Sequence, residues 1–148
     1  MRITGVCILL LLLSCAFAGG AGEWKENTYV RTVVLLSHQT MRPGEKGEIL
    51  VTFMPIDGIH VNVRPPVKIR VDSGKILSLN GAIKQSVDGS TGYLAPGVPV
   101  KQAFRIDAHA RAGEYGIKGT CTYFFCSDTE GWCTRFSQPI ELTLTITK

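Results

Sequence analysis

The chain is 148 residues long with a formal net charge of +4, a length that suits one domain preceded by a short targeting segment. Its lysines and arginines are scattered, with no basic run and no basic helix, which argues against nucleic-acid binding. Hydrophobic residues make up 45% of the chain, enough for a core that folds without a covalent staple.

Residues 1–18 read as a signal peptide. Arg2 gives a minimal positive start, and residues 6–13 (VCILLLLL) form an apolar run too short to span a bilayer as a helix. Ala16-Phe17-Ala18 then has the small-x-small pattern that a signal peptidase cleaves. The same stretch fits a bacterial lipoprotein signal, because Leu12-Leu13-Ser14-Cys15 would leave an acylated Cys15 at the new N-terminus. Residues 19–27 are expected as a flexible tether. On either reading residues 28–148 form an exported, periplasmic domain, lipid-anchored through Cys15 on the second.

After Glu23 the pattern is strand and turn, without helical periodicity. Residues 29–36 are β-branched and apolar, and Met41-Arg42-Pro43-Gly44 marks a turn after them. Ile49, Val51 and Phe53 alternate with Leu50 and Thr52. Between 98 and 108, Val98, Val100, Phe104, Ile106 and Ala108 face one way, and Lys101, Arg105 and Asp107 face the other. Residues 114–126 (EYGIKGTCTYFFC) read as one long strand. The clearest alternation closes the chain, with Ile140, Leu142, Leu144 and Ile146 set against Glu141, Thr143, Thr145 and Thr147. Turn pairs such as Asp57-Gly58, Asn80-Gly81, Asp88-Gly89 and Pro96-Gly97 separate these runs. About eight short strands at this spacing indicate an all-β, immunoglobulin-like β-sandwich forming a single domain.

Five cysteines are present, of which Cys7 and Cys15 belong to the leader. Cys121, Cys126 and Cys133 remain, an odd number that implies one pair and one thiol with another fate. Strand parity separates them. Cys121 shares the apolar face of its strand with Tyr115, Ile117, Tyr123 and Phe125, whereas Cys126 lies on the other face with Lys118, Thr120 and Thr122. Cys126 ends that strand, a six-residue loop carrying Gly131 follows, and Cys133 starts the return. Cross-strand neighbours at a non-hydrogen-bonded position lie about 4.5–5.5 Å apart, within disulfide range. The expected bridge is therefore Cys126–Cys133, with Cys121 a buried core thiol. The spacing lacks a CxxC knuckle and a fourth ligand would have to come from afar, so no metal or other cofactor is expected.

Most exported disulfides are staples. Closing an eight-residue loop, however, constrains the unfolded chain by only about 2.5 kcal/mol. A bridge at a loop tip is also open to an incoming thiolate. Geometry leaves both roles standing. Phe124, Phe125, Trp132 and Phe136 crowd the pair, either as ordinary core and hairpin packing or as a collar shielding the disulfide. Asp128 and Glu130 would raise nearby thiol pKa values and Arg135 would lower them. His60 is expected to be a structural strand histidine, being distant in sequence with no identifiable partner.

Two segments carry a resemblance. Gly113-Glu114-Tyr115, running through residues 126–133 (CSDTEGWC) to Gln138-Pro139-Ile140-Glu141-Leu142, resembles the N-terminal periplasmic domain of DsbD-type thiol:disulfide interchange proteins. Upstream, Asp57-Gly58-Ile59-His60-Val61-Asn62 followed by Pro65-Pro66-Val67-Lys68-Ile69 is similar to a second motif of that family. The resemblance covers about residues 28–147 and that one module; the family's membrane-embedded and thioredoxin-like domains lie outside it. Six residues separate the cysteines where the family commonly has five, and Thr134-Arg135 replaces its usual Tyr-Pro. The family's cap loop has only the short polar span 85–93 (QSVDGSTGY) as a candidate counterpart.

The resemblance implies an immunoglobulin-like fold and a pair that relays reducing equivalents. Cys133 would form mixed disulfides with partners, and Cys126 would resolve them. The partners implied are thioredoxin-fold periplasmic proteins and a DsbD-like membrane transporter, met by a monomer. The rival expectation is a non-catalytic immunoglobulin-like binding or assembly domain whose disulfide is a hairpin staple. No nucleophile–base pair supports a hydrolase.

Overall fold

The structure, a computed structural model, describes residues 26–148. The expected signal peptide, the Cys15 anchor and most of the tether lie outside the described residues. Nine strands form in chain order: β1 Val30–Leu36, β2 Thr40–Met41, β3 Lys46–Pro55, β4 Ile59–Val61, β5 Lys68–Asp72, β6 Leu77–Lys84, β7 Val100–Ile106, β8 Gly113–Ser127 and β9 Cys133–Ile146. They make two sheets, one ordered β1-β3-β7-β6 and the other β2-β9-β8-β4, with β5 also paired to β8. All pairings are antiparallel except β2 against β9.

This order is that of an immunoglobulin-like sandwich, in which strands A, B, E and D form one sheet and C, F and G the other. Here β1, β3, β7 and β6 take the first set, while β8 and β9 take F and G. Strand C is divided, since β4 pairs with the end of β8 and β5 with its middle. The Tyr115 hydroxyl, near the start of β8, donates to the Arg111 carbonyl at 2.8 Å. That bond is the tyrosine corner characteristic of these sandwiches.

Period-two alternation drives the packing. Ile49, Val51 and Phe53 of β3 are buried against Ile117, Tyr123 and Phe125 of β8 and Ile140, Leu144 and Ile146 of β9. The Phe53 and Tyr123 rings, 4.7 Å apart, join the two sheets. Cys121 is fully buried as a free thiol, and burial pushes its pKa up to about 12. The alternation in β7 is narrower than the sequence pattern suggests. Val98 and Ala108 fall outside the strand and are exposed, while the even position Gln102 is buried. Its amide donates to the Asn80 and Gly81 carbonyls, where the register of β6 becomes irregular.

Asn27, at the junction with the expected tether, is buried and ties the chain's entry to the core. Its Oδ1 accepts from the Tyr29 and Val30 backbone N–H groups, and its Nδ2 donates to the Tyr123 hydroxyl at 2.9 Å. Asn27→Ala leaves the Tyr29 and Val30 N–H groups without this acceptor and the Tyr123 hydroxyl with Thr32 alone, so denaturant unfolding is expected to show a loss of about 1–3 kcal/mol. Cys121 should resist alkylating reagents in the native protein and react fully after unfolding. Its thiol ionises more readily when unfolded, near 9, than when folded, near 12. Its contribution to stability is therefore complete below pH 9 and lost as pH rises towards 12. Cys121→Ala should flatten that alkaline decline in a pH series of unfolding free energies.

Candidate functional site

The site is built at the tip of the β8–β9 hairpin, on the face of the second sheet turned away from the core. Cys126 and Cys133 are direct register partners with Cα atoms 4.1 Å apart, and they are disulfide-bonded. The Ser127 N–H donates to the Trp132 carbonyl at 2.9 Å, so the pair before it sits at a non-hydrogen-bonded position, where side chains lie closest. The hairpin is thus closed by backbone bonds beyond the disulfide. The turn itself is compact: Ser127 accepts from Gly131 N–H at its carbonyl and from Glu130 N–H at its hydroxyl. Gly131 supplies the positive φ of 70° that this chain reversal uses. The Trp132 indole donates to the Glu130 carboxylate.

The two half-cystines differ in exposure. Cys133 is exposed, whereas Cys126 is only 6% exposed despite lying on the outer face. Two segments cover it. The first is β4, in which His60 is the register partner of Cys126. Its position is fixed by the turn at Asp57-Gly58, where Gly58 takes φ of 77° and its carbonyl accepts the Asp128 N–H from the hairpin tip. Beyond β4, the Asn62 N–H donates to the Phe124 carbonyl. The Asn62 side chain thereby lies over Cys126, its Nδ2 3.2 Å from Sγ and its Oδ1 3.6 Å from it. In the disulfide only the first contact is a donor–acceptor pair; a reduced Cys126 thiol would also have an acceptor in Oδ1.

The second covering segment is a small hairpin at 86–95. It is closed by bonds from Asp88 N–H to the Tyr93 carbonyl and from Ala95 N–H to the Ser86 carbonyl. The Asp88 carboxylate accepts from the Ser90 hydroxyl and backbone N–H, and these bonds, the hydroxyl foremost, hold its pKa below the usual value. The Leu94 N–H donates to the Val61 carbonyl on the free edge of β4. With Leu94 buried in the core, alternation turns Tyr93 outward onto His60, ring centroids 3.4 Å apart and planes 9° from parallel. A cleft of about 270 Å³ between the segments is lined by His60, Asn62, Arg64, Tyr93 and Cys126.

His60 is a strand residue, as expected, and the fold also brings it beside the disulfide despite its distance in sequence. Its Nδ1 is 2.8 Å from Asp128 Oδ1, yet it has no hydrogen-bond partner among the described residues. The carboxylate lies off the ring N–H direction, so the contact is a close approach without a hydrogen bond. With Asp128 55% exposed, solvent weakens it further. Sequence distance hid this residue; its place beside Asn62 in one motif was the available signal.

The aromatic collar divides by parity. Phe125, Trp132 and Phe136 turn inward, packing with Tyr29 and Tyr123. Phe124 alone of the four shares the disulfide's face, so most of the crowding is core and hairpin packing, the first of the two readings, and Tyr93 brings an aromatic ring to the site from another segment. Among the described residues no group of three His, Cys, Asp or Glu is arranged to hold a metal ion. A larger cavity of about 470 Å³, lined by Val67, Ile69, Ala82 and Ile83 at the open edge between β5 and β6, lies away from the cysteines.

Comparison with known proteins gives distant likenesses. No protein-family model and no curated protein matches the chain. Among solved structures, the GAE domain of yeast GGA1 is similar with a TM-score of 0.45 and 16% identity, covering 80% of this chain and 94% of that one. The N-terminal domain of Neisseria meningitidis DsbD in its reduced form is similar with a TM-score of 0.41 and 16% identity, covering 79% and 86%. At these values the identification of the fold rests on the strand order and the tyrosine corner described above.

Proposed function

We propose that residues 28–148 form an exported thiol:disulfide exchange module that works with thioredoxin-fold proteins through Cys126 and Cys133. The observation that carries this reading is the asymmetry of the pair. Cys133 is exposed, while Cys126 is covered and has the Asn62 amide donor at its sulfur.

The asymmetry favours one direction of attack. A partner thiolate reaches the Cys133 sulfur, forms a mixed disulfide there and breaks the Cys126–Cys133 bond. The electron pair of that bond leaves on Cys126, whose thiolate accepts the Asn62 Nδ2–H bond. A second partner thiol then attacks the partner's own sulfur in the mixed disulfide and releases Cys133. The partner ends as a disulfide and the module as a dithiol, two electrons having passed. In reverse, the Cys133 thiolate opens a partner disulfide and Cys126 resolves the mixed disulfide, releasing the partner reduced.

The Cys126→Ser variant should accumulate mixed disulfides at Cys133 with thioredoxin-fold proteins added in disulfide form. The Cys133→Ser variant should accumulate far fewer, because its remaining thiol is covered; non-reducing gels and intact mass report both. Equal trapping by the two variants would contradict the assignment, and trapping by neither would favour a non-catalytic binding domain. Asn62→Ala removes a hydrogen bond to a developing thiolate, worth about 1.5–3 kcal/mol. It should slow reduction by a small thiol at least about tenfold and raise the Cys126 pKa read by thiolate absorbance. A slower rate at unchanged pKa would mark Asn62 as structural.

A further inference from the structure

The outer face of the second sheet continues past the disulfide into a cleft of about 410 Å³ lined by Lys68, Arg70, Thr120, Thr122, Phe124 and Arg135. Register fixes its relation to the cysteines. Phe124 and Arg135 are cross-strand partners, each two residues along from Cys126 and Cys133. They therefore point to the same face about 7 Å further on. Lys68 and Arg70 oppose Thr122 and Thr120 from the β5 side. Lys68, Arg70 and Arg135 are exposed, and among the described residues none has a carboxylate within ion-pairing distance.

The acids near this face pair with other groups. Asp72 and Glu141 flank Lys118, one same-face position beyond Arg70 and Thr120 and on the side away from the disulfide. Asp128 is beside His60 and Glu130 is bonded to Trp132, both on the hairpin turn beyond the disulfide. A strip of three cations that form no ion pair among the described residues thus begins within a screening length, about 8–10 Å, of the exposed sulfur, with the half-buried Phe124 ring in its middle.

We propose that this strip is the docking surface for the exchange partner, and that the partner carries carboxylates beside its reactive cysteine. The inference rests on the exchange reading and adds the partner's chemistry to it. Cations next to the attacked sulfur raise the local concentration of an anionic thiolate-bearing surface, and Phe124 offers an apolar contact once it docks. The exchange step is the one written above: the partner thiolate bonds to Cys133 and the electron pair leaves on Cys126.

The test uses three synthetic peptides, each with one cysteine, flanked by glutamates, serines or lysines. Each is reacted with the oxidised protein, and its rate is divided by the same peptide's rate with hydroxyethyl disulfide, which removes differences in intrinsic thiol reactivity. At low ionic strength the glutamate peptide should react about tenfold faster than the serine peptide and the lysine peptide more slowly. The ratios should collapse towards one in about 1 M salt, where the screening length is about 3 Å. The combined variant Lys68→Glu, Arg70→Glu and Arg135→Glu should invert the order. Equal normalised rates for the three peptides, or a glutamate preference that survives the charge reversal, would overturn the docking surface while leaving exchange intact. Failure of every peptide to open the disulfide would instead overturn the exchange function, and the docking proposal with it.

Discussion

The alternation of side chains along β8, locked by its ladder with β9, decides which groups meet in this molecule. Pairing runs from Gly113 opposite Ile146 to Cys126 opposite Cys133, so one register assigns every odd and even residue of the hairpin to a face. The inward set closes the core against β3 through Tyr123 and Phe125. The outward set carries the disulfide, Phe124 and the cationic strip. A one-residue slip would exchange the two faces, burying lysine and arginine and exposing the aromatic core, which makes the register energetically stringent. Gly119 serves the same ribbon, since a Cβ there would overlap the Arg70 carbonyl of β5. Without that close approach Lys68 and Arg70 would not flank the outer face.

This constraint also bears on the proposed exchange role of the pair. The hairpin carries a long backbone ladder and closes beyond the cysteines through Ser127 and Trp132, so little loop entropy remains for the disulfide to remove. The roughly 2.5 kcal/mol expected for a loop of this length is an upper figure in such a setting. Covering Cys126 with a polar amide while leaving Cys133 open serves no evident packing purpose. It does suit a bond that breaks in one sense, with the charge leaving on the covered sulfur.

Much of this was legible in the sequence. The strict alternations at 114–126 and 140–146 identify β8 and β9, parity puts Cys121 in the core, and the short loop between antiparallel strands pairs Cys126 with Cys133. What escaped were features that depend on contacts between distant strands. Gln102 reads as a solvent residue until two carbonyls of the irregular β6 accept from its amide. His60 is far from the cysteines in sequence and becomes their neighbour only because the broken strand C returns along the end of β8. The aromatic crowding around the pair is readable in sequence as packing or as a collar, and only the register, which sends three of those four rings inward, decides for packing. Tyr93, in a span that reads as short and polar, brings its ring to the site because Leu94 anchors the 86–95 hairpin and turns its neighbour outward.

The central claim is that Cys126–Cys133 is an exchanging bond, and its standard reduction potential addresses that most directly. Equilibration of the purified protein against defined thiol–disulfide buffers should give a value between about −270 and −120 mV, the span of thioredoxin-fold exchange proteins. A potential well below about −300 mV, with no reduction by reduced thioredoxin, would identify a structural staple and contradict the account.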